Sequence, residues 1–392
     1  MSLTVKLINN KDDFDQLEHE WNDLYEKSDH CTVFSSWDWM MTWWEVFGVE
    51  PVRQLYILCV YDGDQLLGVA PFQIVKKFPL SLVVGRKLLF IGNGEARKDS
   101  IVSEYGDLIV STERRDEVCE SLLSYLFNHN DWDFADFDYL LKDSLILRYF
   151  QEQAVQSSDT KLSLKRQAFV SGVRYTIPQG ETFDDYIQSL GSRWSKMYAK
   201  KNRKLERDGE IKYLQSNSER SIEDDLDLLA KMNKSRWSGR SRYLIFDSEK
   251  FNQFHKKILE RLVPQERAYI KILTLNDEPL AAIYLFSDKS QVHYYQSGFF
   301  TKKANAYSPL FLLVCKEIGL MNESNKRFDF MYSSENSYKQ TQYAAKSEDI
   351  YRLIWTHTSY RLSLFNSLRN LKARYEKMRN FVESLPKKRK PS

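Results

Sequence analysis

The sequence predicts an α/β (α+β) fold of two similar units in tandem, each a mixed, mostly antiparallel sheet flanked by helices. Three observations carry this expectation. At 392 residues the chain is too long for one ordinary domain, and two or three are expected. The stretch LYILCVYDGDQLLGVAPFQIV (55–75) resembles AYIKILTLNDEPLAAIYLFSD (268–288), and both read as strand, turn, strand. WDFADFDYLLKDS (132–144) likewise resembles KRFDFMYSSENS (326–337). The same order of hairpin, helix and acidic-aromatic strand therefore occurs twice. The expected division is a first unit over 1–175, a second over 176–358 that carries the site, and a basic C-terminal helix and tail over 359–392.

Within the first unit, residues 3–8 read as a strand and 12–25 as a helix with Phe14, Leu17, Trp21 and Leu24 on one side. Ser35 or Ser36 caps a helix ending at Phe47, whose Trp, Met and Phe residues suit a core. Asp62-Gly63-Asp64 turns the chain between strands 54–61 and 65–75. Strands over 87–91, 106–110 and 132–140 and a helix over 114–128 complete it.

The second unit opens with a helix over 182–209. Its Arg193, Lys196, Lys200, Arg203, Lys204 and Arg207 recur at helical spacing and form a basic face. That face suits either plain solvation or a polyanion. Helices over 222–233 and 251–262 enclose an Arg- and Trp-containing loop, 234–243. Strands follow over 269–275, 279–286 and 291–296, then a loop over 301–307. Ser308-Pro309 starts a helix, because Ser favours the N-cap and Pro the first turn. Strands over 327–332 and 350–355 end the unit, with a long basic helix expected over 359–385 and a Lys-Arg tail to Ser392.

Composition excludes several classes. A formal charge of +3, with 42% hydrophobic and 28% charged residues, gives a globular chain with no overall bias toward nucleic acid. The four cysteines form no CxxC pair, so no metal is expected. The start MSLTVKLINNKDDF has no signal-peptide pattern, and no apolar run reaches the ~20 residues of a membrane span. A reduced, cytoplasmic setting is expected. Nucleophile-elbow, Walker, HExxH and dinucleotide-binding glycine patterns are missing from the sequence. His293, alternating with Tyr295, is a candidate base or a hydrogen-bonded wall residue.

Taken together, SSWDWMMTWW, LLGVAPF, LGSRWSKMYAKKNRKLE, the SRW loop, HYYQSGF, SPLFLL and FDFMYSSENSYK resemble the CelD-type (cellulose biosynthesis, BcsL-like) acetyltransferases of the GNAT superfamily. That family is similar to the Fem-type peptidyltransferases. The resemblance spans about residues 10 to 355. It implies tandem GNAT-like units and acyl transfer from acyl-CoA to an amine or hydroxyl of a sugar-nucleotide or polysaccharide precursor. A Fem-type transferase using aminoacyl-tRNA, or a non-catalytic scaffold in polysaccharide assembly, is the alternative. By its family's Tyr-Lys dipeptide, Lys339 would stabilise an oxyanion and Tyr338 would protonate the leaving group. Glu335 or Asp329 would take the proton of the nucleophile. Trp237, Arg240, Gln296 and Tyr295 would hold substrate. Lys302, Lys303 and Ser308 would meet the donor phosphates in place of the usual glycine-rich loop. The first unit has no matching Tyr-Lys and is expected to be structural or to bind substrate.

Overall fold

Gly63, at φ +61°, makes the turn between the first pair of long strands, a conformation that costs glycine little. From such turns a computed structural model builds one continuous sheet. It describes residues 3–77, 85–129, 131–156, 164–180, 182–217, 220–239, 244–333 and 338–357. The helix and tail expected beyond 357, and the roles expected of Arg240 and Glu335, lie outside the described residues.

The strands are β1 (Thr4–Ile8), β2 (Arg53–Asp62), β3 (Gln65–Lys77), β4 (Gly85–Phe90), β5 (Ile109–Val110), β6 (Phe134–Leu140), β7 (Leu164–Ile177), β8 (Ile211–Gln215), β9 (Ala268–Leu275), β10 (Glu278–Ser287), β11 (Gln291–Phe299), β12 (Arg327–Ser333) and β13 (Lys346–His357). The helices are α1 (Lys11–Gln16), α2 (Glu18–Lys27), α3 (Trp37–Phe47), α4 (Arg115–Asn128), α5 (Leu145–Gln156), α6 (Phe183–Ser189), α7 (Gly191–Asp208), α8 (Ile222–Trp237), α9 (Glu249–Leu262), α10 (Thr301–Tyr307), α11 (Pro309–Glu323) and α12 (Lys339–Tyr343).

The sheet order is β1-β2-β3-β4-β6-β13-β7-β12-β11-β10-β9-β8, with β5 beside β3. It reads inward from both edges in the same way. Four antiparallel strands are followed by a parallel pair, β4 with β6 on one side and β11 with β12 on the other. The duplication expected from the two similar hairpins is therefore present in the topology. At the centre the last strands cross over. β13 pairs with β6 and β7, and β7 pairs with β12 and β13. Positions 175 and 176 both lie within β7.

A shared apolar core joins the halves. Trp39 of α3 stands edge-on to Phe254 of α9 and Phe286 of β10, with ring centroids 4.9 and 5.0 Å apart. Glu45 of α3 pairs with Lys257 and Arg261 of α9 at its rim. The expectation that the aromatics of α3 are core holds: Trp39, Met41 and Trp43 are fully buried. Cys59 and Cys315 are buried as expected.

Several boundaries differ for local reasons. The helix expected over 12–25 breaks at Leu17, whose N–H turns back to Phe14 and Asp15. That over 182–209 breaks at Leu190, before Gly191 at φ +76°. The strand expected over 106–110 keeps only Ile109–Val110. The loop expected over 301–307 is the helix α10.

Candidate active site

Strands β11 and β12 are bonded only from Gln291–Arg327 to His293–Asp329. Beyond that point they part. Two local distortions open the gap. In β11 the register against β10 slips between Tyr284 and Leu285, leaving Tyr295 as the extra residue of a bulge. In β12 Met331 takes φ +62°, and the register against β7 slips between Asp329 and Tyr332. The Met331 conformation is held by its own N–H, which donates to Asp329 Oδ1 at 2.7 Å.

A cavity of about 370 Å³ fills the gap, lined by Tyr294–Ser297 of β11, Phe330–Ser333 of β12, Arg236 and Trp237 at the end of α8, Tyr338, Lys339, and Val102 and Glu104 from the first half. Five residues expected from sequence meet here: Lys339, Tyr338, Trp237, Gln296 and Tyr295. A second cavity of about 300 Å³ adjoins it and shares Arg236 and Tyr338. It holds Ser308, Pro309, Leu310 and Phe311 at the start of α11, and among the described residues no carboxylate lines it. A helix start of this length presents unpaired N–H groups and the positive end of its dipole.

Lys339 opens α12, and its ammonium donates to Phe330 O at 3.0 Å while lying 5.7 Å from the Tyr175 ring centre. Burial holds its pKa below the usual lysine range, partly offset by Glu104 and Asp329. Tyr338 is 55% exposed at the junction of the cavities. Trp237, 39% exposed, carries the Arg236 guanidinium 4.9 Å from its ring centre. Arg236 Nη1 donates to Ser297 Oγ at 2.5 Å. Asn233 Nδ2 donates to Gln296 Oε1 at 3.3 Å and to Ser297 O at 2.9 Å, tying α8 to β11. Tyr295 donates its hydroxyl to Ile101 O and so pins a loop of the first half against the cavity.

That loop brings Glu104, which sequence reasoning missed. Glu104 is 2% exposed, and its Oε2 accepts the Tyr332 N–H at 2.8 Å. Burial, reinforced by the Asp329 charge, pushes its pKa up to about 8. No local sequence signal marks it. It lies more than two hundred positions from Lys339 in the chain and reaches the cavity only because the halves pack together. Arg236, at the end of α8, was passed over in favour of Arg240 of the loop expected over 234–243.

Other expected residues lie elsewhere. Asp329 is fully buried, 3.5 Å from His293 Nδ1 and 3.6 Å from Arg174 Nη1, and does not line the cavity. His293 is held between Asp288, at 2.9 Å, and Asp329, which fits the wall role. Lys303 pairs with Glu278, and Lys302 is exposed on α10; neither lines the second cavity. Ser308 does line it, but at φ +50° it makes no side-chain cap bond. Among the described residues no group of side chains suits a metal ion.

Residues 192–340 match the acetyltransferase (GNAT) domain family. No curated protein matches the chain by sequence. Among solved structures, FemX is similar at TM-score 0.58 and 11% identity, covering 88% of this chain and 96% of FemX. The C-terminal domain of a putative lysylphosphatidylglycerol synthetase from Agrobacterium fabrum is similar at TM-score 0.51 and 10% identity, over 90% and 96%. A conserved protein of unknown function from Bacteroides thetaiotaomicron gives TM-score 0.50 at 10% identity, over 90% and 100%. The fold is thus Fem-like, and the match of residues 192–340 to the acetyltransferase (GNAT) domain family supports an N-acyltransferase.

Proposed function

We propose that the chain transfers an acyl group from acyl-CoA to an amine or hydroxyl of a sugar-nucleotide or polysaccharide precursor, within the cleft between β11 and β12. The observation that carries this reading is the pair of joined cavities. One begins at the helix start of α11 and the other ends at Lys339 and Glu104. The donor phosphates would lie at the α11 start with Arg236, and the acyl thioester would reach past Tyr338 into the larger cavity. The resemblance to CelD-type acetyltransferases supports the acceptor class.

In this reading Glu104 takes a proton from the acceptor nucleophile. The nucleophile attacks the thioester carbonyl, and the Lys339 ammonium faces the oxyanion. Collapse expels the thiolate, which Tyr338 protonates. A carboxylate with a pKa near 8 is matched to a proton acceptor working close to neutral pH. With [¹⁴C]acetyl-CoA and a panel of amino- and hydroxyl-bearing sugar nucleotides, Lys339→Ala is expected to lower kcat about 10²-fold. An unchanged rate removes Lys339 from the chemistry.

The basic face of α7 favours a second reading, with aminoacyl-tRNA as donor. α7 lies beside α10, where Lys201 donates to Asn305 O at 2.7 Å, and the Trp194 ring is tilted against Phe311 at the second cavity, 5.7 Å between centroids. The named relatives FemX and lysylphosphatidylglycerol synthetase lend it weight. Co-purified tRNA that is released by salt supports this donor, and stabilisation by acetyl-CoA alone supports the first.

A further inference from the structure

Asp329 lies outside the cavity, yet both of its oxygens are aimed at what shapes it. Oδ1 accepts the Met331 N–H at 2.7 Å and so fixes the positive φ of that residue. This turn breaks the register with β7 and points the next N–H, that of Tyr332, away from the ladder to Glu104 Oε2 at 2.8 Å. Oδ2 faces the ion partners His293 and Arg174, at 3.5 and 3.6 Å. A single carboxylate therefore joins the buried ion cluster to the backbone group that holds Glu104.

We propose that Asp329 is a positioning residue that sets both the aim and the protonation of Glu104, with His293 acting in the opposite electrical sense. The inference rests on the reading of Glu104 as the proton acceptor. The charged and titratable groups whose charges act on Glu104 come from several neighbouring elements. Asp329 and Tyr332 come from β12, His293 and Tyr295 from β11, Lys339 from α12, Tyr139 from β6, and Tyr105 from its own loop. Of these, Asp329 is the anion and disfavours the ionised Glu104, whereas His293 and Lys339 are cations and favour it. His293 keeps its charge because Asp288 and Asp329 outweigh its burial and raise its pKa to about 9.

The two partners therefore have opposite signatures. Asp329→Asn keeps an oxygen acceptor for Met331 but removes the negative charge, so the Glu104 pKa falls. His293→Gln removes the positive charge, so it rises. The test is a ¹³C-carboxyl NMR titration of Glu104 in the full chain, which needs no substrate, assigned with Glu104→Gln. A shift of about one pH unit is expected in each direction. Shifts of the same sign, or none in either folded variant, overturn the proposal. If Asp329→Asn does not fold, Asp329→Ser takes its place in the same titration, and an unchanged or raised Glu104 pKa there overturns the proposal. The pH profile of acetyl transfer separates this from the functional reading. If Glu104→Gln keeps the rising limb of wild type, Glu104 is not the proton acceptor. If it loses that limb while Asp329→Asn leaves the limb in place, the Asp329 inference alone fails.

Discussion

Among the described residues of the cavity, Arg236 and Lys339 are the two cations and Glu104 the carboxylate. They do different work. Arg236 is locked by Ser297 and by the ring faces of Trp237 and Phe299, at 4.9 and 5.7 Å, so it is prepared to bind an anion before substrate arrives. It also belongs to both cavities, where a donor would be held in ground and transition states alike. Arg236→Ala is therefore expected to raise the donor KM about tenfold while kcat changes little, in contrast to Lys339→Ala. Steady-state kinetics against acetyl-CoA checks the split, and a fall in kcat alone contradicts it. Lys339 and Tyr338 were flagged through the family's Tyr-Lys dipeptide, and as neighbours at the start of α12 they stay together in any fold. Glu104 was not, since its partners come from the other half of the chain. Asp329 was legible as a carboxylate but not as to side, because Met331 breaks the alternation that tells the two faces of a strand apart.

The site depends on two elements that meet closely. α8 lies on β11 where Gly298 leaves room. A Cβ there would stand 2.3 Å from the Asn233 backbone nitrogen, and backbone cannot move aside cheaply. Gly298→Ala is expected to destabilise the chain by about 1–3 kcal/mol, as overpacking does, and to lower transfer by moving Asn233 and Arg236 off β11. Urea unfolding gives the first effect and the assay the second; a stable variant with full activity contradicts this account of the contact. The hairpins and α11 were readable from alternation, turn residues and the Ser-Pro start. α10 was not. Its Lys-Lys-Ala-Asn-Ala sequence lacks an apolar stripe, and its helix is held by tertiary partners, among them Lys201 on Asn305 O and Ala306 O and Tyr307 on Asp208.

At the scale of the molecule, the crossing of β7 and β13 ties the halves together. β13 is bonded on both sides, to β6 and to β7, and its Leu353 and Trp355 enter the core of the first half. Ending the chain at residue 345 would leave β6 and β7 with open edges and remove those side chains from the apolar cluster. Such a truncation is expected to lose the native amide spectrum of the first half as well as the second. A folded first half in that truncation would show that β13 is dispensable to it. Sequence similarity between the hairpins revealed the duplication, but not the exchange. Strand order is set by partners distant in sequence, and β7 lacks a clean apolar alternation, with Phe169 and Val170 both exposed. No helix among the described residues is long and apolar enough to cross a membrane.

The central claim is that acyl donor occupies the joined cavities between the start of α11 and Lys339. Hydrogen exchange of the full chain with and without saturating acetyl-CoA tests it most directly, because no acceptor is needed. The account predicts slowed exchange at residues 310–312, 294–297 and 338–343, with the first-half loop around Glu104 following. Unchanged exchange there, or protection confined to another surface, would contradict it.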